Sequence, residues 1–232
     1  LRYQHHFENP GIPGHAHVIN PAEINILDIT SSSVDLTDDY KSSIPYQLVN
    51  NNLFTFQSNY LTNDLKLSFH LGYFINNLKE HEKWTRPDFD ISIKHLQLSP
   101  NIRFGVDKFT FNIGSQISTL DNVNNQTDRL VPDASSLSIG PYVIVDFEDD
   151  NFGFNYGVRY DYKSLESKDQ TFDINYNNEF SNTSFSAGIF YKYLDNMLRL
   201  TYSGAYRAPH FSELFSDGVH HGTNRYEIGN IN

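Results

Sequence analysis

The chain has 232 residues, enough for one sizeable domain, and a formal net charge of −11 that argues against a nucleic-acid binder working by phosphate neutralisation. It contains no cysteine, so neither a disulfide framework nor a cysteine zinc site is available. No apolar run approaches the roughly 18 residues of a transmembrane helix, whereas a transmembrane barrel stays open because half of its strand residues face a polar lumen. Aromatics make up 15%, with 15 Tyr and 18 Phe against one Trp, and Tyr and Phe favour strands and populate the girdles of membrane barrels.

In chain order, Leu1-Arg2-Tyr3-Gln4-His5-His6-Phe7 is strand-like, with neither the basic start nor the apolar core of a signal peptide. A long polar link covers about 8–52. Residues 53–61 keep Phe54, Phe56 and Tyr60 in phase, with Leu at both ends of the opposite face. Residues 65–76 alternate Leu65, Leu67, Phe69, Leu71, Tyr73 and Ile75 against mostly polar neighbours. In 89–99 the phase slips between Ile93 and Leu96, which predicts a β-bulge. Alternation resumes over 109–118 and 137–147. It is cleanest over 151–162, where Phe152, Phe154, Tyr156, Val158, Tyr160 and Tyr162 share a face, and it recurs over 185–193 and 198–207. Short helical turns are expected within 22–30 and 210–217.

The links alternate in length. Short ones lie at 61–64, 105–108, 148–151 and 195–196; long polar ones lie at about 8–52, 76–88, 119–136, 164–182 and from 207 onward. Short periplasmic turns and long extracellular loops produce that series. A soluble sandwich or lipocalin-like barrel also alternates, but its polar face is normally the outer one and its loops need not alternate in length. The expected fold class is therefore all-β, an antiparallel transmembrane β-barrel of which about nine strands are present. Both ends read as cuts through a longer protein.

Toward the end, Pro209 lacks a donor and restricts Ala208, so it is expected to end a ladder where the strand leaves the membrane. Arg207 falls in the polar-facing set at the lumen rim, and Gly229-Asn230 permits a positive-φ turn back into a strand. The stretch Tyr206-Arg207-Ala208-Pro209-His210-Phe211-Ser212-Glu213-Leu214-Phe215, followed by His220-His221-Gly222-Thr223-Asn224-Arg225-Tyr226-Glu227-Ile228-Gly229-Asn230, resembles the late-barrel signature of TonB-dependent outer-membrane receptors. Leu130-Val131-Pro132-Asp133-Ala134 and Gly157-Val158-Arg159-Tyr160-Asp161 look similar to further parts of that family.

The resemblance implies a barrel of about 22 strands whose lumen holds a separate N-terminal plug. It implies capture of scarce nutrients outside the outer membrane of a Gram-negative bacterium, with energy from the TonB complex. Residues 1–232 are then a fragment of the barrel domain, lacking the plug and the C-terminal strands. The implied partners are outer-membrane lipid, a small nutrient or metal ligand, and the TonB complex through the missing N-terminal parts.

The ten histidines are the feature that speaks about cargo. His5, His6, His15 and His17 gather around Glu8, His220 and His221 follow Asp217, and His81 lies between Glu80 and Glu82. Zinc takes imidazole nitrogen and carboxylate oxygen, and loops converging above a barrel could bring these groups together. The candidate metal ligands are His15, His17, His220 and His221, with His5, His6, Glu8 and His81 as a secondary set. The stretch Asn9-Pro10-Gly11-Ile12-Pro13-Gly14-His15 with His220-His221 resembles the zinc-uptake branch of the family, some of whose relatives handle haem. Haem would need one or two of these histidines as axial ligands; a siderophore would use aromatic and Arg contacts. Against this, histidines are ordinary in solvated loops, and His70 and His95 read as lumen-lining strand residues.

No nucleophile elbow, phosphate loop or His-Glu-x-x-His helix is present, so no enzyme is expected. The alternative function is a non-transporting outer-membrane barrel, an adhesin or structural porin, which would lack an upstream plug. A soluble ligand-binding sandwich would fold without detergent.

Overall fold

A computed structural model of the chain describes residues 1–8, 46–81, 86–87, 89–126, 131–170, 173–220 and 225–231. Nine strands form one sheet in sequential order: β1 (Arg2–Glu8), β2 (Tyr46–Leu61), β3 (Leu65–His81), β4 (Phe89–Val106), β5 (Phe109–Asn124), β6 (Ala134–Glu148), β7 (Phe152–Asp169), β8 (Ile174–Tyr193) and β9 (Asn196–Gly204). Every neighbouring pair is antiparallel. A short helix, α1 (Phe211–Phe215), and a separate hairpin of β10 (Asp217–His220) and β11 (Arg225–Ile228) follow. Part of the stretch from 207 onward, expected as loop, is thus ordered, and α1 falls inside the expected helical turn.

The pairing carries the period-2 pattern from strand to strand. Leu71 pairs with Phe56 and Leu98, Leu98 with Ile117, and Ile117 with Ile139. Ile139 pairs in turn with Tyr162, so one continuous apolar face runs across the sheet. Many of its members are exposed, with Leu198 at 74% and Tyr202 at 71%. A row of phenylalanines crosses this face near the short turns, Phe109, Phe147 and Phe154, with ring centroids of 4.9 and 5.1 Å between consecutive members. The opposite face is polar at mid-height, where His70, Gln97, Ser99, Gln116 and Ser138 sit one residue out of phase. In a water-soluble sheet the exposed face would be the polar one; here the arrangement is inverted.

The short links at one end are 62–64, 107–108, 149–151 and 194–195. Asp107 and Leu194 take left-handed backbone, φ 53° and 52°, as two-residue hairpin turns require. At the other end the strands run further than expected. Strands β2 to β8 are 15 to 20 residues long, well beyond the roughly 9–11 that cross a bilayer. Residues 164–169 and 174–182, expected as loop, are strand, and only 170–173 connect β7 to β8.

The expected bulge in 89–99 is not formed. Register between β3 and β4 is unbroken from Leu65–Phe104 to Glu80–Phe89. The phase changes because β4 leaves the apolar band. Up to Leu96 the outward positions are apolar; beyond it Lys94, Ser92 and Asp90 face outward while Ile93, Ile91 and Phe89 face inward. Inside, a small core waits for them. Ile91, Ala134 and Leu165 pack with Val131 and with Phe211, Leu214 and Phe215 of α1, all under a tenth exposed. The helix therefore lies against the inner wall at the long-link end.

Candidate functional site

The inner wall presents three levels of polar groups. At the short-turn end a cavity of about 280 Å³ is lined by Arg103, Lys108 and Arg199 on one side of the charge balance and Asp146 and Glu148 on the other. The Phe190 ring lies below the Lys192 ammonium at 5.1 Å and the Arg199 guanidinium at 5.9 Å, and Lys192 pairs with Glu148 at 3.0 Å.

At mid-height Asn101 donates to the Tyr142 hydroxyl at 3.0 Å and to Asn112. Arg159 donates to Asp161 at 2.7 Å and to Gln116 at 2.8 Å, spanning three strands. Its guanidinium passes over Gly140, where a Cβ would stand 2.0 Å from Nη2, so a side chain there would push the guanidinium aside. Arg159 and Asp161 are the residues of the Gly157–Asp161 stretch that point inward, as their alternation requires.

The upper level is a cap. Asn122 and Asn124 donate to the carbonyls of Pro132 and Val131 at 2.9 and 3.0 Å, and Ser167 donates to the carbonyl of Asp133 at 2.8 Å. These bonds hold residues 131–133 against the wall. Lys163 reaches up from β7 and donates to the Pro209 carbonyl at 2.8 Å. Arg207 and Glu213 form a two-point ion pair at 2.7 and 2.9 Å, and Glu213 also accepts the His210 N–H at 2.8 Å. His210 caps α1 in return, its Nδ1 accepting the Ser212 N–H at 3.4 Å. β9 ends at Gly204, ahead of the Arg-Ala-Pro step, so Pro209 does not end the ladder as expected; the step lies in the connection to α1, where Arg207 fastens the turn.

The re-entry works differently from expectation. No glycine among the described residues has a positive φ. Gly229 is needed because it lies on α1: its N–H donates to Ser216 at 2.6 Å, the Asn230 N–H donates to the Glu213 carbonyl at 2.9 Å, and a Cβ would stand 2.4 Å from the Leu214 carbonyl. Sequence reading missed the His210–Glu213 capping box, although Glu at the third helical position behind a polar cap residue is a readable signal. Lys163 and Asn122 carry no such signal, since their partners are distant backbone carbonyls.

The cap is sensitive to acid. The Arg207 guanidinium holds the Glu213 carboxyl down at about 2, and burial with nearby Lys163 lowers the His210 imidazole from its ordinary value. Both groups take up protons more readily when unfolded, so each stabilises the cap at neutral pH and loses that contribution on acidification. His210 is lost first, as pH falls below about 6.5, and Glu213 follows between about 4.5 and 2. Hydrogen exchange of the 211–215 amides, corrected for intrinsic rates, should therefore rise on going from pH 7.5 to 5. Flat protection over that range would remove His210 from the cap.

The histidines divide by location. His15, His17 and His221 lie outside the described residues, as does the side chain of His220, whose backbone ends β10. His6 pairs with Glu8 at 2.6 Å on the lumen face of β1, whereas His5, one residue away, is on the outer face with its Nδ1 3.0 Å from the Asn52 Oδ1. His81, also outward, is stacked on Tyr46 with centroids 4.7 Å apart. Among the described residues no three His, Asp or Glu side chains stand close enough to share a metal ion.

A protein-family model described as TonB dependent receptor-like, beta-barrel matches residues 14–232. The chain belongs to that family. Membership places this TonB-dependent receptor barrel segment in the outer membrane of a Gram-negative bacterium and assigns it no catalysis. Among solved structures one described as "Copper transporter OprC" is similar, with a TM-score of 0.59 at 14% identity, over 73% of this chain and 32% of that one. At that identity the likeness supports the fold, and the chain spans about a third of the length of that structure. A search of curated proteins found no match.

Proposed function

We propose that this chain is part of the barrel of an outer-membrane receptor that takes up a scarce nutrient, with a transition metal or metal complex as cargo. The observation that carries the reading is the family match over 14–232, laid on an inner wall that is polar at mid-height and carries α1 on a small apolar core at the long-link end. Import through such a barrel draws on the TonB complex, through parts of the receptor outside this chain. The metal assignment rests on the histidines of 5–17 and 220–221, and it is supported by a structural neighbour named as a copper transporter. Imidazole suits zinc and copper alike, so zinc, copper and haem are the cargoes to compare.

The test is titration calorimetry on the full-length receptor with zinc and with copper(II). Binding at roughly micromolar strength or tighter is expected, and replacing His15, His17, His220 and His221 by Ala should weaken it by about tenfold or more. Unchanged binding in that variant would dismiss the histidine site. Uptake that persists in cells without TonB would favour a passive porin instead.

A further inference from the structure

The cavity of about 280 Å³ at the short-turn end faces the lumen and takes no part in the cap or in the histidine set. Its charges sort into engaged and free groups. Lys108 pairs with Asp149 at the neighbouring turn, and Lys192 neutralises Glu148 at 3.0 Å. Arg103 of β4 forms no ion pair or hydrogen bond among the described residues, and the Arg199 guanidinium of β9 has only the Phe190 ring, at 5.9 Å. Asp146 of β6 stands between them in strand order and likewise has no ion pair among the described residues. Beside Arg103, at its paired position on β3, is Lys66, which also faces the lumen. Like charges at directly opposed strand positions repel, so this pair calls for a counter-anion.

These groups define the occupant. A guanidinium offers a planar fork of donors that fits a carboxylate at two points, and the Thr110 and Thr201 hydroxyls on the same wall suit further oxygens. The free cations outnumber the free carboxylate, so the cavity attracts anions although the chain as a whole carries −11. A bare polycarboxylate is repelled by Asp146. One that holds a divalent metal presents carboxylates to the arginines and a cation to Asp146, so both signs are answered.

We propose that this lumen-facing cavity is an exit-side binding site for a divalent metal held by a small polycarboxylate. The site rests on the reading of a metal complex as cargo and gives that complex a last station beside the short-turn mouth. Zinc citrate is the probe, titrated calorimetrically into the purified full-length receptor in detergent, where both mouths of the barrel meet the solution. His15, His17, His220 and His221 are first replaced by Ala, so that the proposed outer ligands are silent. Zinc citrate should still bind, and Arg103→Gln/Arg199→Gln should weaken it by about tenfold or more. Arg103→Lys/Arg199→Lys keeps the charges but loses the fork, and its affinity should fall between the two. Metal-free citrate should bind about tenfold more weakly than zinc citrate, a gap that Asp146→Asn closes. No binding of zinc citrate, binding unchanged by Arg103→Gln/Arg199→Gln, or equal binding of the two citrates would overturn the proposal. A thermal midpoint lowered in that variant with chelate binding intact would also overturn it, since the arginines would then hold another segment of the receptor. Zinc chloride titrated into the receptor with its histidines intact reads the transport proposal separately, because that signal can fail while the chelate site stands.

Discussion

Gly229→Ala is expected to detach the re-entry segment from α1 and loosen the lumen cap. The new Cβ would meet the Leu214 carbonyl carbon and oxygen at 2.4 Å and the Phe215 nitrogen at 2.5 Å. All three atoms are backbone, so no side-chain rotation relieves the clash, and the segment must move. Moving it breaks the hydrogen bonds from Gly229 to Ser216 and from Asn230 to Glu213. It also disturbs the docking of Phe211, Leu214 and Phe215 against Leu165 and Ile91. Overpacking and two lost backbone bonds together should cost about 2–4 kcal/mol, seen as faster exchange of the 211–217 amides and a lower denaturant midpoint. Gly72→Ala is the control, because a Cβ there meets nothing within 4 Å. It should change stability by no more than about 1 kcal/mol. Comparable losses in the two variants would mean that Gly229 has no special steric role.

A one-residue step along β4 should reverse the effect of a charge. Leu98 faces outward between Leu71 and Ile117, near the middle of the apolar band, whereas Gln97 faces the lumen opposite Gly72 and Ser118. Leu98→Arg puts a guanidinium against hydrocarbon and should cost about 2–4 kcal/mol in the folding equilibrium of the receptor in lipid bilayers. Gln97→Arg exposes the same group to a wet lumen and should be close to neutral, within about 1 kcal/mol. Folding efficiency into vesicles, measured by the mobility shift of unheated barrel on gels, provides a second reading. If the two variants behaved alike, or Gln97→Arg were the worse, the assignment of the faces would be inverted.

The secondary histidines are divided between the two faces of the wall. Alternation alone requires His5 and His6 to face opposite ways, and the pairing of β1 with β2 bears this out, splitting the secondary ligand set between wall and lumen. His6 with Glu8 supplies two groups on the lumen face, and His81 is engaged with Tyr46 on the other. Of the primary set, His15, His17 and His221 lie outside the described residues, and the His220 backbone ends β10.

Period-2 alternation and turn residues alone mark the lipid-facing stretches of the strands, their apolar face within the band, the four short turns and the family resemblance. Both are local properties that need no knowledge of a neighbouring strand. How far the strands continue above the membrane emerges from the pairing of neighbouring strands. There the outward face becomes polar, so residues such as Ser164, Glu166, Asn175 and Asn177 read as loop until register with β7 and β8 pairs them. The phase slip in β4 looked like a bulge for the same reason: one strand cannot show that its surroundings change from lipid outside to a capped core inside. The glycine at 229 looked like a turn residue, but its need is set by the α1 backbone resting against it, a contact between segments that the linear pattern does not encode.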